Sequence, residues 1–129
     1  MSPALDERGL PPDYRFHADW EIPPREVAAD LKSGSPPLLV DVRTDAEIAI
    51  VRIPGSMHVP LHELERRIDD LRDEVEARGG SPIVTICHHG MRSMRAAAVL
   101  RAAGLGEVRS MAGGIHLWAV DLAPGMPTY

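Results

Sequence analysis

The chain has 129 residues, a length typical of one domain that buries its own core. Its hydrophobic fraction of 44% and charged fraction of 26% are those of an ordinary globular protein, and no apolar stretch is long enough to predict a membrane-spanning helix. The net charge of -5 argues against nucleic acid and membrane partners, and the single cysteine excludes an internal disulfide, so a cytoplasmic location is predicted.

The N-terminal quarter predicts an arm followed by a strand and a helix. Residues 1–19 are rich in proline and charge and predict a loosely packed or flexible arm that precedes a domain of residues 20–129. The segment Trp20–Ile22 predicts a short first strand. Pro23-Pro24 predicts the start of a helix that ends by Gly34, because proline in a first helical turn loses no hydrogen bond.

The next segment predicts two further strands around a short helix. The apolar run Leu38–Val42 is typical of a buried strand. Thr44 predicts the N-cap of a helix over residues 45–50, since Glu47 stands three positions later, as in a capping box. Pro54-Gly55 predicts a turn before a short strand over Met57–Val59.

The second half repeats this alternation. Apolar residues recur at helical spacing from Leu61 to Val75 and predict an amphipathic helix that ends at Gly79-Gly80. The run Ile83–Ile86 predicts a buried strand, and the alanine-rich stretch from residue 92 to residue 103 predicts a helix. A strand over residues 107–111, a tight turn at Gly113-Gly114 and a helix over residues 115–120 complete the pattern. Strands alternating with helices predict an α/β fold with a parallel sheet.

The chemistry is predicted in the loop that follows the strand Ile83–Ile86, because ligand sites in parallel sheets lie beyond the carboxyl ends of the strands. Cys87 stands first in this loop. Backbone N–H groups of the loop and the positive N-terminus of the next helix would stabilise a thiolate, the nucleophilic form. Cys87 is the predicted nucleophile, and the predicted substrate-binding residues are His88, His89, Gly90, Met91, Arg92 and Ser93.

Three loop residues and two residues on the neighbouring strand have expected roles. Gly90 provides the unusual backbone angles of a tight loop. Ser93 is expected to cap the following helix, and Arg92 to place a positive charge near the sulfur or an anionic substrate. Asp41 and Arg43, at the end of the strand over residues 38–42, are expected to form a buried ion pair or hydrogen bond that supports the loop.

Four motifs in order resemble the rhodanese family. Cys87–Ser93 is similar to the rhodanese active-site loop, and Val40–Arg43 resembles the Asp-Val-Arg strand end. Ile53–Ser56, followed by His58-Val59-Pro60, resembles the Ile-Pro-Gly-Ala turn. Gly113-Gly114 with Trp118 resembles the closing Gly-Gly-x-x-x-Trp motif, and together these motifs span residues 20–129.

The resemblance implies a five-stranded parallel sheet flanked by helices on both faces, and a sulfurtransferase of the thiosulfate type. Cys87 would take sulfane sulfur from a donor such as thiosulfate, hold it as a persulfide and pass it to a thiol or cyanide. A sulfur-relay protein could also be the partner. No metal or organic cofactor is implied. One departure concerns the donor: two-domain members tend to carry arginine where Glu47 stands, and Arg92 is expected to substitute for that arginine.

Three other functions are less well supported. A cysteine-based phosphatase would place arginine six positions after the nucleophile, where this chain has Ser93. Adjacent Cys87, His88 and His89 lack the spacing of metal ligands, and the remaining histidines are expected at surfaces or turns. His88 and His89 either tune the sulfur or shape its entrance. A relay of sulfur between proteins or a non-catalytic interaction module of the same fold stays open as the alternative, although retention of Cys87 disfavours the non-catalytic form.

Overall fold

Five parallel strands form a single sheet in the computed structural model, which describes residues 4–129. In chain order the strands are β1 (Glu21–Ile22), β2 (Leu38–Asp41), β3 (Met57–His58), β4 (Ile83–Ile86) and β5 (Val108–Met111). Their order across the sheet is β1-β5-β4-β2-β3, so β4 is the central strand. The register pairs Asp41 with Ile86, and this pairing brings the end of β2 beside the residue that precedes Cys87.

Five helices complete the α/β fold predicted from the sequence. They are α1 (Pro24–Leu31), α2 (Asp45–Ile50), α3 (Ile68–Ala77), α4 (Met91–Ala102) and α5 (Gly114–Leu122). No helix among residues 4–129 combines the length and the apolar character needed to cross a bilayer. The capping box predicted at α2 is confirmed: Thr44 Oγ1 accepts a hydrogen bond from Glu47 N, and the Glu47 side chain accepts one from Thr44 N.

The core has two layers, one on each face of the sheet, because successive residues of a strand point to opposite faces. Leu38, Val40 and Ile83 pack in one layer with residues of α3 and α4. Leu39, Val84 and Ile86 pack in the other layer with residues of α1 and α5. The predicted arrangement with helices on both faces is therefore confirmed.

The helix predicted from Leu61 onwards differs from the structure. Residues 61–63 and 65–67 form two 3₁₀ turns, and the α-helix begins at Ile68. The spacing of three between Leu61 and Leu64 fits a 3₁₀ turn as well as an α-helix. Leu61 N donates to the carbonyl of Val42 at 3.1 Å, which ties this segment to the end of β2 while Leu64 enters the core.

The described part of the N-terminal arm packs against the domain. Leu10 is fully buried with Ala112 and Leu117, and Tyr14 lies against the same cluster. The Tyr14 hydroxyl donates to Glu21 Oε2 at 2.5 Å and accepts from Gly113 N at 3.0 Å. Residues 1–3 of the predicted arm lie outside the described residues, and the division of the chain at residue 20 stays a prediction.

Candidate active site

The sulfur of Cys87 lies directly beyond the carboxyl end of the central strand β4. The residue is only 1% exposed. Gly90 N donates to Cys87 Sγ at 3.0 Å and Ser93 N donates at 3.3 Å. These two N–H groups belong to the start of α4, so the positive end of that helix faces the sulfur. The arrangement stabilises negative charge on Sγ through backbone donors that need no reorganisation.

The Cys87 loop is held from behind by the first turn of α5. Ile115 N donates to the carbonyl of Cys87 at 2.8 Å, and His116 N donates to the carbonyl of His88 at 3.1 Å. Donors that would otherwise be unpaired at a helix N-terminus therefore bind the carbonyls of the loop. The carbonyls of Cys87 and His88 are thus paired with α5, while the N–H groups of Gly90 and Ser93 donate to the sulfur.

Two glycines make this close packing possible. Gly90 has a φ of 111°, a left-handed conformation that turns the chain from the loop into α4. Gly114 has a φ of 64°, and a Cβ atom placed on it would lie 2.3 Å from the His88 carbonyl oxygen and 2.5 Å from that of Cys87. The Gly-Gly turn therefore fixes the distance between α5 and the Cys87 loop.

Gly114→Ala is expected to destabilise the protein by about 3 kcal/mol, because the new methyl group collides with backbone and the φ is unfavourable. The matched control is Gly106→Ala, since Gly106 has a φ of 85° with open space around it. That control is expected to cost only the left-handed strain, about 1 kcal/mol. Urea unfolding of both variants measures the difference. Equal losses would show that contact with the Cys87 loop contributes nothing.

Ser93 does not cap the helix, and that prediction was wrong. The cap position is taken by Gly90, α4 begins at Met91, and Ser93 lies inside the first turn. Its hydroxyl instead lies 3.3 Å from Cys87 Sγ and 2.7 Å from Ser110 Oγ. All three side chains are buried, so Ser93 and Ser110 form a polar contact beside the Cys87 sulfur. Ser110 was missed because nothing in the sequence indicates that a serine within this predicted strand contacts Ser93.

Asp41 and Arg43 form the expected buried ion pair. Both side chains are fully buried, and Arg43 Nη2 lies 2.8 Å from Asp41 Oδ2. Arg43 also donates to the carbonyl of Val51 at 2.7 Å and to the hydroxyl of Tyr129 at 2.9 Å. The pair thus fastens the end of β2 to the segment after α2 and to the C-terminal segment.

Arg92 binds the Glu47 carboxylate, and the expectation that it substitutes for the arginine of two-domain members stays a prediction. Its Nη1 and Nη2 atoms bind Glu47 Oε1 and Oε2 at 2.5 Å and 2.9 Å. Hydrogen bonding to Glu47 is the main cause that raises the pKa of Arg92, and the charge of the same carboxylate adds to it. Glu47, which stands at the position where two-domain members tend to carry arginine, therefore binds Arg92.

The Glu47 carboxylate is the centre of a hydrogen-bonded network. Besides Arg92, it accepts from the Tyr129 hydroxyl at 2.7 Å and from both Thr44 N and Thr44 Oγ1 at 3.2 Å. Hydrogen bonds from Arg92 chiefly, and then those from Tyr129 and Thr44, hold the pKa of Glu47 well below its ordinary value. Glu47 is therefore charged throughout the physiological pH range.

Aromatic rings cover the outer side of the loop. The His88 ring lies 4.1 Å from that of His89, 5.8 Å from that of His116 and 4.0 Å from that of Tyr129. Burial chiefly, with the neighbouring imidazoles His89 and His116, lowers the pKa of His88 and favours its neutral form. His116 was expected at a surface or turn, and it joins this cluster because α5 packs against the loop.

Among residues 4–129 no group of three potential ligands is arranged to hold a metal ion.

Met91 lies exposed at the rim of the Cys87 loop. Its side chain is 85% exposed and lines a cavity of about 410 Å³ beside His89, Gly90 and Tyr14. A second cavity, of about 460 Å³, lies on the Arg92 side of the loop. No pattern in the sequence pointed to Tyr14 or Tyr129, since both stand in segments without regular periodicity.

Comparisons with known proteins agree on one family. The model of the rhodanese-like domain family matches residues 23–121. Thiosulfate sulfurtransferase GlpE of Pseudomonas fluorescens is 38% identical over 97 residues, which cover 75% of this chain and 82% of that protein. Human single-domain sulfurtransferase TSTD1 has a TM-score of 0.65 and 27% identity, covering 78% of this chain and 95% of its own.

A longer relative matches as well. Adenylyltransferase and sulfurtransferase MOCS3 of Arabidopsis thaliana is 29% identical over 122 residues, covering 87% of this chain. The match covers 26% of that protein, so the chain spans about a quarter of its length. All three relatives are sulfurtransferases by name.

Proposed function

Since this chain belongs to the rhodanese-like domain family, we propose that it moves sulfane sulfur from a donor to a thiophilic acceptor through a persulfide on Cys87. The observation that carries this proposal is the position of Sγ, which receives hydrogen bonds from Gly90 N and Ser93 N beyond the central strand. Donors aimed at the sulfur suit a reaction in which sulfur carries negative charge at every stage.

The first half-reaction is a displacement at sulfur. The Cys87 thiolate attacks the outer sulfur of thiosulfate, a Cys–S–S⁻ persulfide forms, and the donor S–S bond breaks so that sulfite leaves with the electron pair. In the second half-reaction a thiolate or cyanide attacks the outer sulfur of the persulfide. Thiocyanate or a new persulfide leaves, and the Cys87 thiolate is restored.

The remaining site residues have proposed roles that follow from their contacts. Gly90 and Ser93 stabilise charge on sulfur, and Met91 forms part of the rim. His88 and His89 shape the entrance, while Arg92 acts together with Glu47. Asp41 and Arg43 support the end of β2 beside the loop.

Loop size favours sulfur over phosphate. The loop closes on one atom, because its two N–H donors lie 3.0 Å and 3.3 Å from Sγ. Arginine follows the nucleophile by five positions and is bound by Glu47, so it is not presented to a tetrahedral dianion. A phosphatase reaction is therefore less well supported than sulfur transfer.

The proposal is tested by intact mass after incubation with a sulfur donor. We expect a gain of about 32 Da, the mass of one sulfur atom, that cyanide or a reducing thiol removes. Since the chain has a single cysteine, one such addition is assigned to Cys87 without further mapping. Absence of the gain with thiosulfate and with an organic persulfide would overturn the proposal.

The alternative, a relay of sulfur to a protein acceptor, would use the same persulfide. The observation that favours it is Met91, whose apolar side chain is 85% exposed beside the Cys87 loop. A persulfide that forms but is not discharged by cyanide or small thiols would support this alternative. We propose the cytoplasm as the location for either reaction, because a free catalytic thiol is kept reduced there.

A further inference from the structure

Two arginines beside the Cys87 loop, Arg43 and Arg92, are neutralised by carboxylates. Arg43 is paired with Asp41, and both side chains are fully buried. Arg92 binds Glu47 through two hydrogen bonds. The imidazole of His88 is held toward its neutral form by burial, which lowers its pKa. The charges of these side chains therefore sum to zero, while the N–H groups of Gly90 and Ser93 donate directly to the sulfur.

Glu47 is fixed so that it keeps Arg92 in place. The capping box with Thr44 anchors the carboxylate from one side, and the Tyr129 hydroxyl binds Oε2 from another. Tyr129 is in turn bound by Arg43 Nη1 at 2.9 Å. Tyr129 lies outside residues 23–121, so this support comes from beyond the segment that matches the family. Release of Arg92 toward a ligand would disrupt a bidentate charged pair.

We infer that Glu47 is a specificity-determining residue that withholds Arg92 from anionic donors, so that the site favours an organic persulfide over thiosulfate. This inference rests on the proposed function. Thiosulfate brings two negative charges to a thiolate that already carries one. Its binding therefore needs a nearby cation, and Arg92 is already paired with Glu47. A persulfide with no other charged group brings only one negative charge. The N–H groups of Gly90 and Ser93 can stabilise that charge by hydrogen bonding.

The chemistry of the preferred donor balances without another reactant. The Cys87 thiolate attacks the terminal sulfur of R–S–S⁻, and a Cys–S–S⁻ persulfide forms. The S–S bond of the donor breaks, and RS⁻ leaves with the electron pair. No oxidant, reductant or proton donor is required.

The experiment is single-turnover loading of Cys87, measured by intact mass, with thiosulfate and with 2-hydroxyethyl persulfide as probes. In Glu47→Gln the second-order rate constant for thiosulfate is expected to rise roughly tenfold, because Arg92 becomes able to bind the donor. The rate constant for the persulfide is expected to change less than about twofold, so the ratio of the two is the readout.

Two further variants test the mechanism of the gain. Asp45→Asn removes the same charge from the same helix, at a side chain that is 92% exposed and does not bind Arg92. It is expected to leave both rate constants unchanged. In the double variant Glu47→Gln/Arg92→Gln, the gain with thiosulfate is expected to disappear. Tyr129→Phe, which leaves the capping box intact, is expected to raise thiosulfate loading by about twofold.

The outcomes separate this inference from the proposed function. Loading by neither donor in the unaltered protein would overturn the proposed function itself. Loading by a persulfide with no gain in thiosulfate use in Glu47→Gln and Tyr129→Phe would overturn the inference alone. So would an equal gain in Asp45→Asn, which would indicate a general effect of charge, or a gain that survives removal of Arg92.

Discussion

Cys87→Ser is expected to lower sulfur transfer by about 10³-fold or more and to abolish the mass gain on incubation with a donor. A serine hydroxyl does not ionise near neutral pH, and its oxygen cannot serve as the sulfur-accepting nucleophile. The substitution is nearly isosteric, and a hydroxyl can accept the hydrogen bonds that Gly90 N and Ser93 N donate to Sγ. We therefore expect the fold to be retained, with a change in unfolding free energy of about 1 kcal/mol or less.

The matched control for this variant is Ser93→Ala. It removes the hydroxyl 3.3 Å from Sγ but leaves both backbone donors and the nucleophile in place. Loading of this control is expected to slow by about tenfold or less, in line with the loss of one hydrogen bond. Steady-state turnover and intact mass measure both variants. Sulfur transfer by Cys87→Ser at the rate of the unaltered protein would be incompatible with a persulfide on this residue.

Asp41→Asn is expected to have the largest effect on stability, a loss of about 3 to 5 kcal/mol. The substitution leaves the guanidinium of Arg43 charged and fully buried without its counter-ion. Removal of one partner of a buried pair leaves an uncompensated charge, and this penalty exceeds the value of the intact pair. A protein of this size has a total stability of about 5 to 15 kcal/mol, so the variant is expected to lose a large part of it.

Asp121→Asn provides the comparison at the surface. Asp121 binds Arg25 through two hydrogen bonds of 2.8 Å and 2.9 Å, and Asp41 binds the Arg43 side chain through three, but the Arg25 side chain is 42% exposed whereas that of Arg43 is fully buried. Water can solvate Arg25 once its partner is neutral, so a loss of about 1 kcal/mol or less is expected. Denaturant unfolding of the two variants gives the contrast. If both lost the same amount, burial would not be the source of the penalty at Asp41.

The position of Cys87 could be predicted from local sequence because each determinant is local. The apolar run Ile83–Ile86 indicates the strand, and the strand end positions Cys87. Gly90 and the helix after it supply the turn and the backbone donors. The prediction for Ser93 was wrong because a serine near a helix start is often the N-cap, whereas here Gly90 is the N-cap. Gly90 has a left-handed conformation, and Ser93 lies in the first turn of α4.

The surroundings of Cys87 depend on contacts that no local sequence pattern contains. Arg92 lies 45 positions from Glu47, and Tyr129 lies 82 positions from it. Neither pairing follows from periodicity or spacing, because the fold brings the ends of different strands to one edge of the sheet. The sequence therefore showed that a glutamate stands where two-domain members tend to carry arginine. It could not show that this glutamate, Glu47, binds Arg92.

The two layers of the core have a practical consequence for spectroscopy. The chain has two tryptophans; Trp20 packs against the layer that contains Leu38 and Ile83, and Trp118 packs against the layer that contains Leu39 and Val84. The guanidinium of Arg101 lies 3.9 Å from the Trp20 ring, so the two indoles have different polar surroundings. Each indole is thus an intrinsic fluorophore for one face of the sheet. Single-tryptophan variants would report separately on the loosening of the α3–α4 face and of the α1–α5 face during unfolding.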